Sequence, residues 1–206
     1  RRLVLAKRYL MKKTKVLHIS YGGLGKGGVS AVIFSITENL SKRFDFGCVV
    51  FSKIGVSEKR FEEIGKLHRV NCYIPGSIAE KIVRPFRMYR EVKKICLSER
   101  YDVIHCHNGE EEAFALLAAK HAGVKIRIAH SHNTNSPKKI SFIKKAYYKI
   151  LRKSINKNAT HKVACSTQAA RDFFGKASDV TIIPNGINLD HYYQNRNGEE
   201  NHLRFV

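Results

Sequence analysis

The sequence predicts an α/β fold, a doubly wound parallel sheet with helices on both faces. Three observations carry that reading. Lys15 to Leu40 reads as strand, glycine loop and helix. Apolar runs of strand length then alternate with helical patterns to Ile183, and the strands end in small or polar residues. Strands regularly alternating with helices build a parallel sheet, and ligands of such sheets gather at the carboxyl ends of the strands.

The opening unit sets the pattern. Val16, Leu17 and Ile19 form a short apolar run, followed by Gly22, Gly23, Gly25, Gly27 and Gly28. Val29, Val32, Ile33, Ile36 and Leu40 then recur at helical spacing. Bare backbone admits a close ligand, and the N–H groups of a helix start favour a phosphate. Gly23, Gly25 and Gly28 satisfy G-x-G-x-x-G, yet the second strand, Phe46 to Phe51, ends in Ser52 and Lys53 rather than the acidic residue a dinucleotide requires. Lys26 is followed by Gly27, not Ser or Thr, which excludes a P-loop. A glycine turn that merely lets strand and helix pack closely is the plain alternative.

The remaining elements follow in order. Glu58 to Leu67 reads as a short helix and Val70 to Ile74 as a strand closed by Pro75-Gly76. Residues 79–99 are helical, with Pro85 near the effective start and Phe86, Tyr89, Val92 and Cys96 on one face. The strand Tyr101 to Asn108 leads to a helix, Glu111 to His121, stopped by Gly123. Ile126 to Ala129 is a strand running into His130-Ser131-His132-Asn133-Thr134. Ile140, Ile143, Tyr147, Ile150, Leu151 and Ile155 mark an amphipathic helix expected to pack on the sheet, with Lys144, Lys145, Lys149, Arg152 and Lys153 outward. His161 to Ser166 is a strand, Thr167 to Phe174 a helix and Val180 to Ile183 a last strand.

Composition narrows the class. The 206 residues carry 43% apolar and 10% aromatic side chains, enough for a core. No run approaches the ~18 apolar residues of a transmembrane helix. Leu3 to Ala6 is too short for a signal-peptide core; residues 1–14 read as a basic leader or an artificial extension, with Met11 as a natural start. The five cysteines show no C-x-x-C, which points to a reducing cytoplasm and away from zinc or disulfides. Net charge is +21, and from Ala113 to Arg171 thirteen Lys or Arg occur without one Asp or Glu. Such a field attracts a sugar nucleotide, an acidic lipid or a nucleic acid; a solvated basic surface is the plain alternative. His105-x-His107 and His130-x-His132 each resemble a chelating pair, but no carboxylate or cysteine completes either set, and no metal is expected. No G-x-S-x-G elbow supports a serine triad.

Taken together, Lys15-Val16-Leu17-His18-Ile19-Ser20 with its glycine loop, Tyr101 to Asn108, Arg127 to Thr134, Ala164-Cys165-Ser166 and Ile183-Pro184-Asn185-Gly186-Ile187-Asn188 resemble the N-terminal half of a GT-B-fold, family 4 retaining glycosyltransferase of the bacterial capsule and exopolysaccharide type. The resemblance covers roughly Lys15 to Tyr192. It implies a Rossmann-like domain over 15–193, with 194–206 a linker into a C-terminal domain that holds most of the sugar nucleotide. Residues 1–206 alone are then inactive. The implied reaction transfers a sugar from a nucleotide-sugar substrate to a hydroxyl of a lipid-linked or saccharide acceptor, without a cofactor. Gly23, Gly25, Gly27 and Gly28 are expected at the donor diphosphate or acceptor and His107 at the donor sugar as the catalytic group. Asn108, His132, Asn133 and Ser166 are expected on the acceptor side. Lys144, Lys145, Lys149, Arg152 and Lys153 are expected to hold the enzyme on the anionic inner face of the membrane, with no nucleic acid bound. A sugar-nucleotide epimerase of the same fold and a basic nucleic-acid- or membrane-binding module are the alternatives.

Overall fold

The computed structural model describes residues 13–51, 55–70, 78–107, 109–132 and 141–186, and for 78–82 the backbone alone. Among these residues lie the strands β1 (Thr14–Ser20), β2 (Phe44–Val50), β3 (Lys66–Arg69), β4 (Val103–Cys106), β5 (Ile126–Ser131), β6 (His161–Ala164) and β7 (Thr181–Ile182). The helices are α1 (Gly28–Leu40), α2 (Glu58–Glu62), α3 (Ile78–Glu99), α4 (Glu112–His121), α5 (Phe142–Asn158) and α6 (Thr167–Phe174), with a short 3₁₀ turn at Gly109–Glu111 before α4. All seven strands pair in parallel in one sheet, in the order β3-β2-β1-β4-β5-β6-β7.

Alternation along each strand separates two cores. Val16, Phe46, Cys48, Val50 and Val103 pack with Ile33 and Phe34 of α1 and Phe61 of α2. Leu17, Ile19, Val49, Ile104, Cys106 and Ala129 face the other way, onto Met88, Val92 and Cys96 of α3, the alanines of α4, and Leu151 and Ile155 of α5. Cys48, Cys96 and Cys106 are buried free thiols and Cys165 is half-buried; Cys72 lies outside the described residues.

Three expectations are corrected. The third strand among the described residues is Lys66–Arg69, inside and just after the stretch read as a helix to Leu67, because α2 ends at Glu62 and the chain turns back at once. Val70 still donates to the Val50 carbonyl at 2.9 Å; 71–74 lie outside the described residues. α3 begins seven residues before Pro85 and runs through it, and it leaves Phe86 66% exposed. The stripe of α5 does not pack as one face. Leu151 and Ile155 are buried, whereas Ile143 is 81% and Ile150 65% exposed, so its first turns stand clear of the sheet.

Candidate functional site

The chain runs outward from β1 to β2 and β3, then returns to lay β4 on the other side of β1. The carboxyl ends of β1 and β4 therefore flank the switch point, where doubly wound sheets open a crevice. His18 pairs in register with His105 on these two strands. With His107, and with His130 and His132 on and after β5, they form one contiguous group on the α1 face, because alternate residues of neighbouring parallel strands share a side.

The rings are joined. His18 Nδ1 lies 2.9 Å from His107 Nε2, and His107 Nδ1 lies 2.8 Å from His132 Nε2. His105 Nε2 and His130 Nδ1 are 3.1 Å apart. His18, His105, His107 and His130 are buried and His132 half-buried. Burial disfavours the imidazolium, drawing His18 and His130 down to about 3 and His105 and His107 well below their ordinary 6.5. His132 is lowered by burial too, with the Asn185 amide beside it pulling back the other way. His18 Nε2, His130 Nε2 and His132 Nδ1 are buried without a hydrogen-bond partner.

These positions refine the sequence reading. His107 is buried within a chain of rings, and both its nitrogens are taken; contact with a sugar requires the His132 bond to open. His18 was absent from the candidate residues. Its signal was a polar side chain in the middle of an apolar strand, directly preceding the glycine loop. Asn108 and Asn133 lie outside the described residues. Ser166 is the N-cap of α6, its hydroxyl accepting from Ala169 N at 3.1 Å, so its local chemistry already has a structural use.

The glycine loop has room for a ligand. A Cβ placed on Gly25, Gly27 or Gly28 would meet nothing within 4 Å, so close packing of strand on helix does not explain them. Gly23 is different, with φ +81°, a left-handed turn after β1 pinned by the Ser20 hydroxyl on its carbonyl at 2.9 Å. Leu24 is fully buried and anchors the loop, and Gly27 caps α1 without a side-chain bond. The helix start is thus open to an anion.

Histidine sets with metal-like convergence are present. Ring nitrogens of His18, His105 and His107, and of His107, His130 and His132, lie within 4.8 Å of one another. The third ligand that the sequence pairs lacked is supplied across the sheet. Nitrogens sharing a tetrahedral ion at ~2.0–2.1 Å stand about 3.3 Å apart. Those bonded here are 2.8 to 3.1 Å apart, the spacing of hydrogen bonds.

The basic group on α5 is reduced by one. Lys144, Lys145, Lys149 and Lys153 are exposed. Arg152 turns inward, bonding Glu110 Oε1 at 2.7 Å and the Asp172 carbonyl at 2.7 Å, so it is a tie between α5, α6 and the turn before α4 rather than a surface cation. On this α3–α5 side, Tyr21, Arg84, Glu111, Phe114, Lys144 and Tyr148 help to line a pocket of about 370 Å³. The Arg84 guanidinium lies 3.8 Å from the Tyr21 ring centre. Burial raises the Glu111 carboxyl, while Arg84 and Lys144 oppose that shift.

Comparison with known proteins agrees with this architecture. The family model described as Glycosyltransferase Family 4 matches residues 26–191. The "Putative glycosyltransferase EpsF" of Bacillus subtilis (strain 168) is 29% identical over 189 residues, 88% of this chain and 47% of that protein. Among solved structures, Anabaena Alr3699/HepE in complex with UDP and glucose has a TM-score of 0.64 at 17% identity, covering 87% of this chain and 46% of that one. The lipopolysaccharide outer core galactosyltransferase WaaB has a TM-score of 0.61 at 15% identity, over 85% and 47%. The UDP-N-acetylglucosamine 2-epimerase from Rickettsia bellii has a TM-score of 0.60 at 12% identity, over 89% and 48%. Likeness to these structures is likeness of fold, and this chain spans about half the length of the relatives it matches. By the match over 26–191, the chain belongs to Glycosyltransferase Family 4.

Proposed function

We propose that the protein transfers a sugar from a nucleotide-sugar to a hydroxyl acceptor with retention of configuration, in capsule, exopolysaccharide or lipopolysaccharide synthesis, and that this chain is its acceptor-side half. The observation that carries the reading is the meeting of an open glycine loop and a buried imidazole group at the β1/β4 switch point. Gly23 shapes the loop; Gly25, Gly27 and Gly28 offer bare backbone and an uncapped helix start to the diphosphate. The departing diphosphate is stabilised by N–H donors and basic side chains, with no resident metal or cofactor in the reaction. His107, once its bond to His132 opens, meets the sugar where charge develops.

The acceptor reading includes a lipid-linked substrate at an anionic membrane surface on the cytoplasmic side. Its support is the α3–α5 face. Phe142 is 84% and Ile143 81% exposed beside Lys144 and Lys145, with Phe86 exposed within α3 just after Pro85 and the aromatic, Arg- and Lys-lined pocket between these helices. Among the described residues no helix is long and apolar enough to cross a membrane.

The test uses the protein extended to the length of its relatives. Gly25→Val should leave thermal stability nearly unchanged, since its Cβ meets open space, and should abolish donor use. His107→Gln should lower turnover by ~10²–10³. Chromatography of the products separates the rival activity: a new glycoside formed on an added acceptor supports transfer, whereas an altered nucleotide-sugar with no acceptor consumed would mean epimerisation. Chelation with EDTA should leave the rate unchanged.

A further inference from the structure

The pocket between α3, α4 and α5 holds two cations that no neighbouring carboxylate pairs. Its walls include the rings of Tyr21, Phe114 and Tyr148, and its charged groups are Arg84, Glu111 and Lys144. Among the described residues neither Arg84 nor Lys144 forms an ion pair. At about 370 Å³ the pocket falls within the ~300–1,000 Å³ of small-molecule sites. Tyr21 directly follows β1 and precedes Gly22, so one wall of the pocket is the start of the glycine loop.

Each group narrows the ligand. The Arg84 guanidinium lies 3.8 Å from the Tyr21 ring centre, and Phe51 backs that ring at 5.8 Å between centres. Stacking occupies the face of a guanidinium and leaves the N–H donors at its rim for an anion. Lys144 Nζ lies 5.3 Å from the ring centre of Tyr148, one helical turn along α5. Both cations reach the same carboxyl, since both oppose the rise that burial causes in Glu111. A phosphoryl group, with about two negative charges and three acceptor oxygens, matches a guanidinium and an ammonium together. A site for a bare anion has no use for a carboxylate or for three rings. Sugar hydroxyls donate to a carboxylate, and the C–H face of a sugar ring packs on an aromatic face.

We propose that this pocket binds a sugar phosphate, with the phosphoryl group on Arg84 and Lys144, a sugar hydroxyl on Glu111 and the sugar ring against the aromatic wall. The ligand is the acceptor, a sugar carried on a phosphate or diphosphate link, and the pocket selects it by that link. Its role as acceptor rests on the glycosyltransferase reading; the binding itself does not.

Amide ¹H–¹⁵N spectra of this chain, titrated at pH 7.5, test the binding. The probes are the 1-phosphates of glucose, galactose and N-acetylglucosamine, the methyl glycosides of the same sugars, and inorganic phosphate. At least one sugar phosphate should bind roughly tenfold more tightly than its methyl glycoside or inorganic phosphate, with shifts centred on the pocket. Arg84→Gln and Lys144→Gln should each weaken that binding roughly tenfold. Lys149→Gln and Lys153→Gln, on α5 but outside the pocket, should not. Glu111→Ala should strengthen inorganic phosphate and weaken the sugar phosphate, opposite effects that a purely electrostatic patch does not give. Arg84→Lys keeps the charge and loses the fork; it should retain part of the affinity, and it carries the test if Arg84→Gln fails to fold. The proposal is overturned if no sugar phosphate outbinds inorganic phosphate, or if Lys149→Gln costs as much as Lys144→Gln. In the protein extended to the length of its relatives, Arg84→Gln should raise the acceptor KM and leave the donor KM unchanged. Offering the acceptor as a soluble sugar phosphate and as a prenyl diphosphate sugar in phosphatidylcholine vesicles tells a free source from a lipid-borne one. Transfer whose acceptor KM ignores Arg84 would remove the acceptor role of the pocket, whereas pocket binding without any transfer would fail the glycosyltransferase reading alone.

Discussion

At the residue scale the buried histidines tie stability to pH. His18 and His130 are drawn from 6.5 to about 3 by burial, so the folded chain keeps them neutral where the unfolded chain takes up protons. Protons then bind the unfolded state preferentially, and stability is full above about pH 7 and falls as pH drops from 6.5 toward 3. At pH 5.5 these two rings alone should remove about 3 kcal/mol, a large share of a domain's typical stability. Urea unfolding at pH 7.5, 6.5 and 5.5 measures this; equal stabilities across the series would contradict the burial. His107→Ala is expected to destabilise as well as inactivate, unlike a residue standing free at a strand end. It strands His18 Nδ1 and His132 Nε2, each at a cost of about 1–3 kcal/mol. The position of His107 after the apolar run of β4 was legible in the sequence. Its engagement on both sides was not, because the partners come from β1 and β5, 89 and 25 residues away.

At the element scale, short helices and close strands depend on single side chains. Ser166→Ala removes the N-cap of α6 and should cost about 1 kcal/mol. Thermal unfolding of this chain, compared with acceptor KM in the longer protein, separates capping from acceptor binding: a stability loss with unchanged KM assigns Ser166 to the helix alone. Gly47 of β2 lies under the Tyr101 ring, whose hydroxyl bonds His68 Nε2 at 2.8 Å. Gly47→Ala must displace that ring and should lower the unfolding temperature, while Gly25→Ala, facing open space, should not. Helix α5 shows how far periodicity reaches. Its apolar spacing correctly predicted a helix, but only Leu151 and Ile155 reach the core, because the contacts of its first turns depend on where the chain enters the helix.

At the scale of the whole molecule, charge and exposed apolar surface coincide. The chain carries a net charge of +21, and Phe142 and Ile143 stand in solvent beside Lys144 and Lys145 at the start of α5, as Phe86 does on α3. Each lysine near an anionic bilayer contributes about 1 kcal/mol, so on the proposed membrane reading Lys144, Lys145, Lys149 and Lys153 are expected to give a reversible attachment, with shallow insertion of the aromatic and aliphatic groups reinforcing it. Sedimentation with phosphatidylglycerol vesicles should show binding that phosphatidylcholine vesicles lack and that weakens as salt rises. Changing those four lysines to Gln should abolish it, and Phe142→Ser with Ile143→Ser should weaken it without shifting its salt dependence. Equal pelleting of the variants would remove the membrane claim, and tighter binding to RNA than to vesicles would favour the nucleic-acid alternative.

The sequence by itself determined the layered fold, nearly every described strand and helix, and which polar strand ends and glycines share one edge of the sheet. These follow from short-range periodicity and glycine placement, which act within a few residues. Tertiary structure alone decided that five histidines from three strands meet, that Arg152 turns inward to Glu110 and Asp172, and that the first turns of α5 stand clear. Those outcomes depend on strand order and register, and hence on contacts between residues far apart in the chain. A sequence pattern marks which face a side chain takes, but the sheet decides what it finds there.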